Sequence, residues 1–296
     1  MGESPSPHIP VMVQEVFELL RPQPGEVFID GTLGAGGHTN QLLAAGARVI
    51  GLDCDGEALL VARQRLATWA DAVTFHRVNF TELGEVMGSL GIQQVQGVLL
   101  DLGLSSMQLA SRQRGFSFLG EGDLDMRMDD RLPTKASSFL ATTPESKLAD
   151  IFWNYGEERA SRALAAAVVK IRRRAPITTV RDFVALVSQV VRPSGKIHPA
   201  TRAFQALRIA VNGELKNLET VLPTGFQVLA PGGRMVVISY HSLEDRIVKH
   251  FFRGLKMAGE AVLLTRKPVR ASADEVRANP RSRSALLRAV EKIKTS

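Results

Sequence analysis

A single cysteine, Cys54, stands in a chain of 296 residues. It can form neither an internal disulfide nor a cysteine-rich zinc site, so no metal centre is expected, oxidising export is not, and the setting expected is intracellular and cytoplasmic. Long apolar runs are missing as well. The longest, Ala163 to Val169, lies inside an amphipathic pattern and falls far short of the ~18 residues of a spanning helix, so no membrane crossing is expected. The start of the chain has no basic segment followed by an apolar one, which excludes a secretory signal. Gly2 and Ser6 fit a myristoylation pattern formally, but Pro5 and Pro7 beside them argue against it. Aromatic residues are only 6%, thin for a protein that stacks many single-stranded bases. No glycine is followed by Lys-Ser or Lys-Thr, which removes the Walker route to ATP, and no Gly-x-Ser-x-Gly elbow exists.

What is present is ordinary globular composition, with 45% hydrophobic and 23% charged residues, and a length that suggests about two domains or one with a large insert. The balance of 37 Lys and Arg against 30 Asp and Glu gives +7, which favours an anionic partner such as nucleic acid. That charge is localised. Residues 111–210 hold 17 basic against 10 acidic side chains and residues 266–296 hold nine against three, so the remainder is net acidic. Phosphate neutralisation needs such localisation. The Arg172-Arg173-Arg174 run could equally serve its own helix C-terminus.

Short β-branched runs alternate with helical patterns through the first hundred residues. Val27–Ile29, Ala47–Leu52, Val73–Phe75 and Gly97–Leu100 read as strands, and Thr39–Ala45 and Ala58–Trp69 as helices. Continuous apolar strands in this rhythm predict a parallel sheet covered on both faces. The next strong strand, Met235–Ile238, begins beyond Pro231-Gly232-Gly233. The long interval reads as a helical insert: Glu157–Arg174 stopped by Pro176, a helix opened by a Thr179/Asp182 capping box, and a third from about Ala200 to Leu218. Ala261–Leu264 and Ala285–Val290 are expected to pair antiparallel at one sheet edge. The expected architecture is a doubly wound, Rossmann-like α/β domain (residues 1–104 and 216–296) with a helical insert for substrate recognition (105–215).

Asp30-Gly31-Thr32-Leu33-Gly34-Ala35-Gly36-Gly37-His38 follows the first strand, where glycines let a ligand approach a helix N-terminus. Asp53 closes the second strand, in place to take the hydroxyls of a ribose, so an adenosine-containing cofactor is expected. A dinucleotide would need a third glycine that is absent at its proper place. Asp30 suits a cationic amino-acid tail better than a phosphate, and S-adenosylmethionine fits this mixture of acid and glycine; Asp30 could also simply stabilise the turn.

Asp101 ends the fourth strand at the carboxyl edge where ligands sit, and Asp101, Ser105 and Ser106 could accept hydrogen bonds from an exocyclic amine that receives a methyl group. The serines could equally cap a helix. Cys54 lies at the wrong strand to attack a pyrimidine ring and reads as packing, against a cysteine-dependent carbon methyltransferase. Ser239-Tyr240-His241-Ser242-Leu243-Glu244-Asp245-Arg246 follows the fifth strand without triad spacing; His241 orients a base or ties a loop, with Ser242 and Asp245 capping the next helix.

These residues resemble the bacterial 16S ribosomal RNA cytosine-N4 methyltransferases of the MraW family. The likeness rests on His8–Met12, Asp30–Thr39, Leu100–Gln108, Arg114–Phe118, Leu124–Asp129, Tyr155–Arg159, His198–Arg202 and Ser239–Arg246. It implies a two-domain S-adenosylmethionine enzyme that methylates the exocyclic amine of one decoding-region cytidine of 16S rRNA within the small ribosomal subunit. By motif position it implies cofactor contacts from Gly36, Gly37, His38, Asp53, Phe80, Asp101 and Gln108. Asp101, Ser105 and His241 are the catalytic candidates, and Arg114, Phe116, Arg127, Tyr155, His198 and Arg202 the substrate-binding ones. Phe116, Phe118 and Tyr155 are candidates to stack on a base or to close the insert's core. The chain departs from many amino-group methyltransferases in carrying Asp101-Leu102-Gly103-Leu104 where an Asn/Asp-Pro-Pro-aromatic tetrad is common. A dinucleotide-dependent oxidoreductase and a noncatalytic ribosome-assembly factor are the competing readings.

Overall fold

Alternating apolar strands and amphipathic helices can bury both faces of a sheet only by crossing over it, and the chain does so from its first hundred residues onward. The computed structural model describes residues 10–111, 113–193 and 198–293. Helix α1 (Val13–Leu20) leads into β1 (Val27–Asp30), α2 (Gly37–Ala44), β2 (Arg48–Leu52), α3 (Gly56–Arg65), β3 (Val73–His76), α4 (Leu83–Ser89) and β4 (Val95–Asp101). The four expected strands are present. Helix α3 starts earlier than its apolar pattern suggests, because the Asp55 side chain accepts from Glu57 N–H and caps it there. His8 and Ile9, like Gly2 and Ser6, lie outside the described residues.

The chain divides into two compact units, one running to Ser105 and resuming at Leu215, the other spanning Ser106–Glu214. The second is helical: α5 (Ser106–Ala110), α6 (Ala136–Thr142), α7 (Glu145–Gly156), α8 (Ser161–Arg172), α9 (Val180–Val190) and α10 (Ala200–Asn212). The Thr179/Asp182 capping box opens α9 as expected. The single helix expected over Glu157–Arg174 begins later, since Glu157 adopts φ +51 as the C-cap of α7. The helix expected from Ala200 to Leu218 is two, broken where Gly213 takes φ +64. The core of this unit holds Phe152, Phe183 and Phe204, with centroids 6.4 Å apart for the first pair and 5.5 Å for the second.

The first unit resumes through α11 (Glu214–Gln227), β5 (Leu229–Ser239), α12 (Ser242–Met257), β6 (Ala261–Leu263), α13 (Ala273–Ala278) and β7 (Leu286–Lys292). Strand β5 begins before Pro231-Gly232-Gly233 rather than after it, and a register shift against β4 between Val95 and Gly97 accommodates the turn-like residues. The seven-stranded sheet has the order β3-β2-β1-β4-β5-β7-β6. Strands β1 to β5 are parallel, while β7 runs antiparallel to both β5 and β6, which gives the expected edge pair. Alternate residues of β1 serve opposite cores, Phe28 with Val49 and Leu99 on one face and Ile29 with Ile50 and Leu100 on the other. The result is a doubly wound, Rossmann-like sheet whose order reverses between β1 and β4. Ligands of such sheets sit at that point, outside the carboxyl ends. No helix among the described residues is long and apolar enough to cross a membrane.

Candidate active site

Three aspartates end three adjacent strands. Asp30 closes β1, Asp101 closes β4, and Asp53 follows β2 directly. Asp30 is 1% exposed; its carboxylate accepts from Thr39 Oγ1 at 2.7 Å and from Thr32 N at 3.2 Å. Burial pushes its pKa up. Asp53 accepts from Gly34 N at 2.7 Å and from Asp55 N at 2.8 Å, and burial raises it to about 6. Asp101 is likewise raised to about 6 by burial, and the charge on Asp30 adds to the shift of both. An anionic cluster held at this cost is poised for a cationic ligand.

Between Asp30 and α2 the loop makes Gly36 the N-cap, at φ +75, and a Cβ there would stand 2.7 Å from Leu66 Cδ1. A glycine cap supplies no side chain, so the first N–H groups of α2 have no side-chain cap and suit a carboxylate. Gly37 lies against Pro10, where a Cβ would meet the ring at 2.8 Å. His38, 7% exposed, donates from Nε2 to Val11 O at 2.8 Å. Its neutral form therefore turns a lone pair on Nδ1 toward Asp101 Oδ2, 3.9 Å away. Phe80 begins a single 3₁₀ turn capped by Asn79, and its Cβ lies 3.4 Å from where a Gly31 Cβ would be, beside the start of the loop.

The residue that sequence reasoning missed is Tyr240. Its hydroxyl donates to Asp101 Oδ1 at 2.8 Å, while Asp101 N–H donates to Thr32 Oγ1 at 2.6 Å. The Tyr240 ring packs where any Cβ at Gly103 would stand, 3.0 Å from Cδ2, and Gly103 itself sits at φ +103. His241 is the N-cap of α12, and its capping box is completed by Glu244 rather than by Ser242 and Asp245. Its Nδ1 accepts from Glu244 N at 3.4 Å and its Nε2 stands 3.3 Å from Glu244 Oε1. Nδ1 therefore ties the turn, while the buried Nε2 faces Glu244 without a hydrogen-bond partner among the described residues. Asp245 pairs instead with Arg288, at 2.7 and 3.0 Å. Ser105 offers its carbonyl to Arg281 at 3.0 Å. The Ser106 side chain lies outside the described residues.

Gln108 belongs to α5 of the helical unit and is 4% exposed. The other candidates in that unit fall into two groups. Arg127 binds Asp125 through Nε at 2.7 Å and Nη2 at 2.9 Å, and its Nη1 donates to the carbonyls of Asp130 and Leu132. Arg114 donates to the carbonyls of Arg127 and Met128, both at 3.0 Å, and lies 5.5 Å from the buried Phe116 ring. The Leu124–Asp129 string is thus a loop bonded through its own arginine and aspartate and to Asn212 of α10, with Met126 at φ +61. Arg127→Lys, which cannot make a bidentate pair, is expected to lower the stability of this unit by about 2 to 3 kcal/mol. Urea unfolding followed by Trp153 in a Trp69→Phe background measures that loss.

The second group lies at the start of α10. His198 stacks on Phe118 with centroids 4.5 Å apart and rings 4° from parallel, and its Nδ1 accepts from Ala200 N at 3.2 Å. Tyr155, half-buried near the end of α7, holds Gln205 through its carbonyl at 2.9 Å, and the Arg202 side chain is exposed. Of the arginine triplet, Arg172 donates to the carbonyls of Leu140 and Thr143, so it caps α6 rather than its own helix.

The MraW methylase family profile matches residues 5–293. Ribosomal RNA small subunit methyltransferase H of Desulfotalea psychrophila is 46% identical over 293 residues, covering 97% of this chain and 98% of that protein. The protein of the same name from Geotalea uraniireducens is 47% identical over 308 residues, covering 97% and 98%. An rRNA methylase crystal structure from Streptococcus thermophilus superposes with a TM-score of 0.46 and 11% identity over 99% of each chain.

Proposed function

The chain belongs to the MraW methylase family and is an S-adenosylmethionine-dependent methyltransferase; from that premise we propose that it methylates small-subunit ribosomal RNA at the N4 amine of one decoding-region cytidine. Its relatives support neither an oxidoreductase nor a noncatalytic assembly factor. The observation that carries the site assignment is the set of three aspartates at the carboxyl ends of adjacent strands, Asp30 buried and Asp53 and Asp101 partly so, gathered around a helix N-terminus without a side-chain cap.

These residues fit the cofactor. Gly36, Gly37 and His38 would receive its carboxylate at the start of α2, Asp53 its ribose hydroxyls, Phe80 its adenine, and Asp101 its methionine end. Bound there, S-adenosylmethionine supplies an electrophilic methyl group on a sulfonium. An amine conjugated into a ring is a weak nucleophile and needs its N–H held by an acceptor. Asp101 is that acceptor: Tyr240 occupies one carboxylate oxygen and fixes its rotamer, and with a pKa near 6 the group is anionic at neutral pH. A base stronger than an ordinary aspartate, it can hold the amine N–H and pass the proton on to water. His241 and Glu244 hold Tyr240 in place, since Glu244 also accepts from Tyr240 N at 2.8 Å. Within the helical unit the Phe118–His198 stack and Arg202 present an aromatic and a cation for the RNA.

The test is mass mapping of small-subunit RNA after incubation of hypomethylated 30S particles with the protein and S-adenosylmethionine. One added methyl on a decoding-region cytidine, resolved as the N4 isomer, is the expected result. Methylation at another atom or nucleotide overturns the assignment.

A further inference from the structure

Outside that site, the unit built on the sheet carries a groove of about 470 Å³ between the second half of α12 and the residues around β6. Lys249, Arg253, Lys256 and Arg266 line it, over Phe252 and Leu263. Lys249, Arg253 and Lys256 recur at i, i+4 and i+7, so they share one helix face, where like charges repel. From Arg246 to Met257 the helix contains no acidic residue. Arg288, which also borders the groove, is neutralised by Asp245, but none of the four other cations has an ion pair or side-chain hydrogen bond among the described residues. The helix dipole accounts for Lys256 in the last turn, not for Lys249 and Arg253 in the middle.

We propose that this groove is a second RNA-binding surface, which holds the phosphodiester backbone of the substrate away from the reacting base. The proposal rests on the reading that the substrate is ribosomal RNA. Three charges spread over about 10 Å of helix match a polyanion better than a single phosphate, which would engage only one or two of them. The groove begins about 12 Å along α12 from its N-cap His241, within reach of a strand whose target nucleotide lies at Asp101. The exposed rim, including Met257 at 85% exposure, leaves it open to a large partner.

The test uses the full chain with Lys249→Ala, Arg253→Ala and Lys256→Ala combined, on an exposed helix face where folding is preserved. Binding of a transcribed small-subunit RNA fragment is titrated against salt, with S-adenosylhomocysteine affinity as a control for the cofactor site. The expected result is weaker RNA binding, a salt slope smaller by about 2 to 3 and unchanged cofactor affinity. A wild-type slope and RNA affinity in the variant overturn the groove while leaving the methyltransferase reading intact. Absence of wild-type binding both to the fragment and to hypomethylated 30S particles overturns the groove and the ribosomal RNA substrate together. Retained RNA binding with lost binding to phosphatidylglycerol vesicles assigns the groove to a lipid surface and also overturns the proposal.

Discussion

Asp101→Asn is expected to lower methyl transfer by at least about 100-fold while making the protein more stable. The amide keeps an oxygen for the Tyr240 hydroxyl and turns its N–H₂ toward the lone pair on His38 Nδ1, so the local hydrogen bonding survives. What is lost is the anion. Because the folded-state pKa of Asp101 lies near 6, above its ordinary 3.8, the folded protein holds its proton more tightly than the unfolded chain does. Stability therefore falls as pH rises from about 4 to 6 and carries the full penalty above 6. Removing the charge returns about 2 to 3 kcal/mol at neutral pH, roughly 5 to 10 °C in Tm, and nothing below pH 4. Thermal unfolding of the two proteins at pH 4 and pH 7.5 measures both arms. A variant less stable than wild type at pH 7.5 would contradict the account.

Asp53→Ala is expected to weaken S-adenosylmethionine binding by about 1.5 to 3 kcal/mol, or roughly 10- to 150-fold. In the proposed site the carboxylate would act twice, as acceptor for a ribose and as the anchor that it already is for Gly34 and Asp55 N–H. The alanine variant releases the glycine loop as well as the ribose, whereas Asp53→Asn keeps one acceptor oxygen and should fall between. Isothermal titration gives the order directly. Equal affinity for all three proteins would remove Asp53 from the cofactor site.

The parts of the molecule legible in the sequence were those with local causes. Short apolar, β-branched runs marked β1 to β4, and the Thr179/Asp182 pair marked the start of α9. Helices α6 and α7 carried no such mark, since Lys135 and Pro144 stand at their N-caps without a capping side chain. Strand β5 runs through Pro231-Gly232-Gly233 because neighbouring strands supply its partners, which no window of the chain reveals. The site divided the same way. Its glycine loop and aspartates were readable as motifs, but Tyr240 lies 139 residues from the carboxylate it holds. Arg114 and Arg127, substrate-binding candidates in sequence, are largely engaged by backbone carbonyls and Asp125 in the fold.

The order of strands also sets a schedule for synthesis. The helical unit is one uninterrupted stretch, Ser106–Glu214, whereas the sheet needs β5, and β5 gains its second neighbour only when β7 has been made. On an elongating chain the insert can therefore fold while its host is still half a sheet with β4 exposed along one edge. The guest matures before the host, and the sheet closes last, from its antiparallel end.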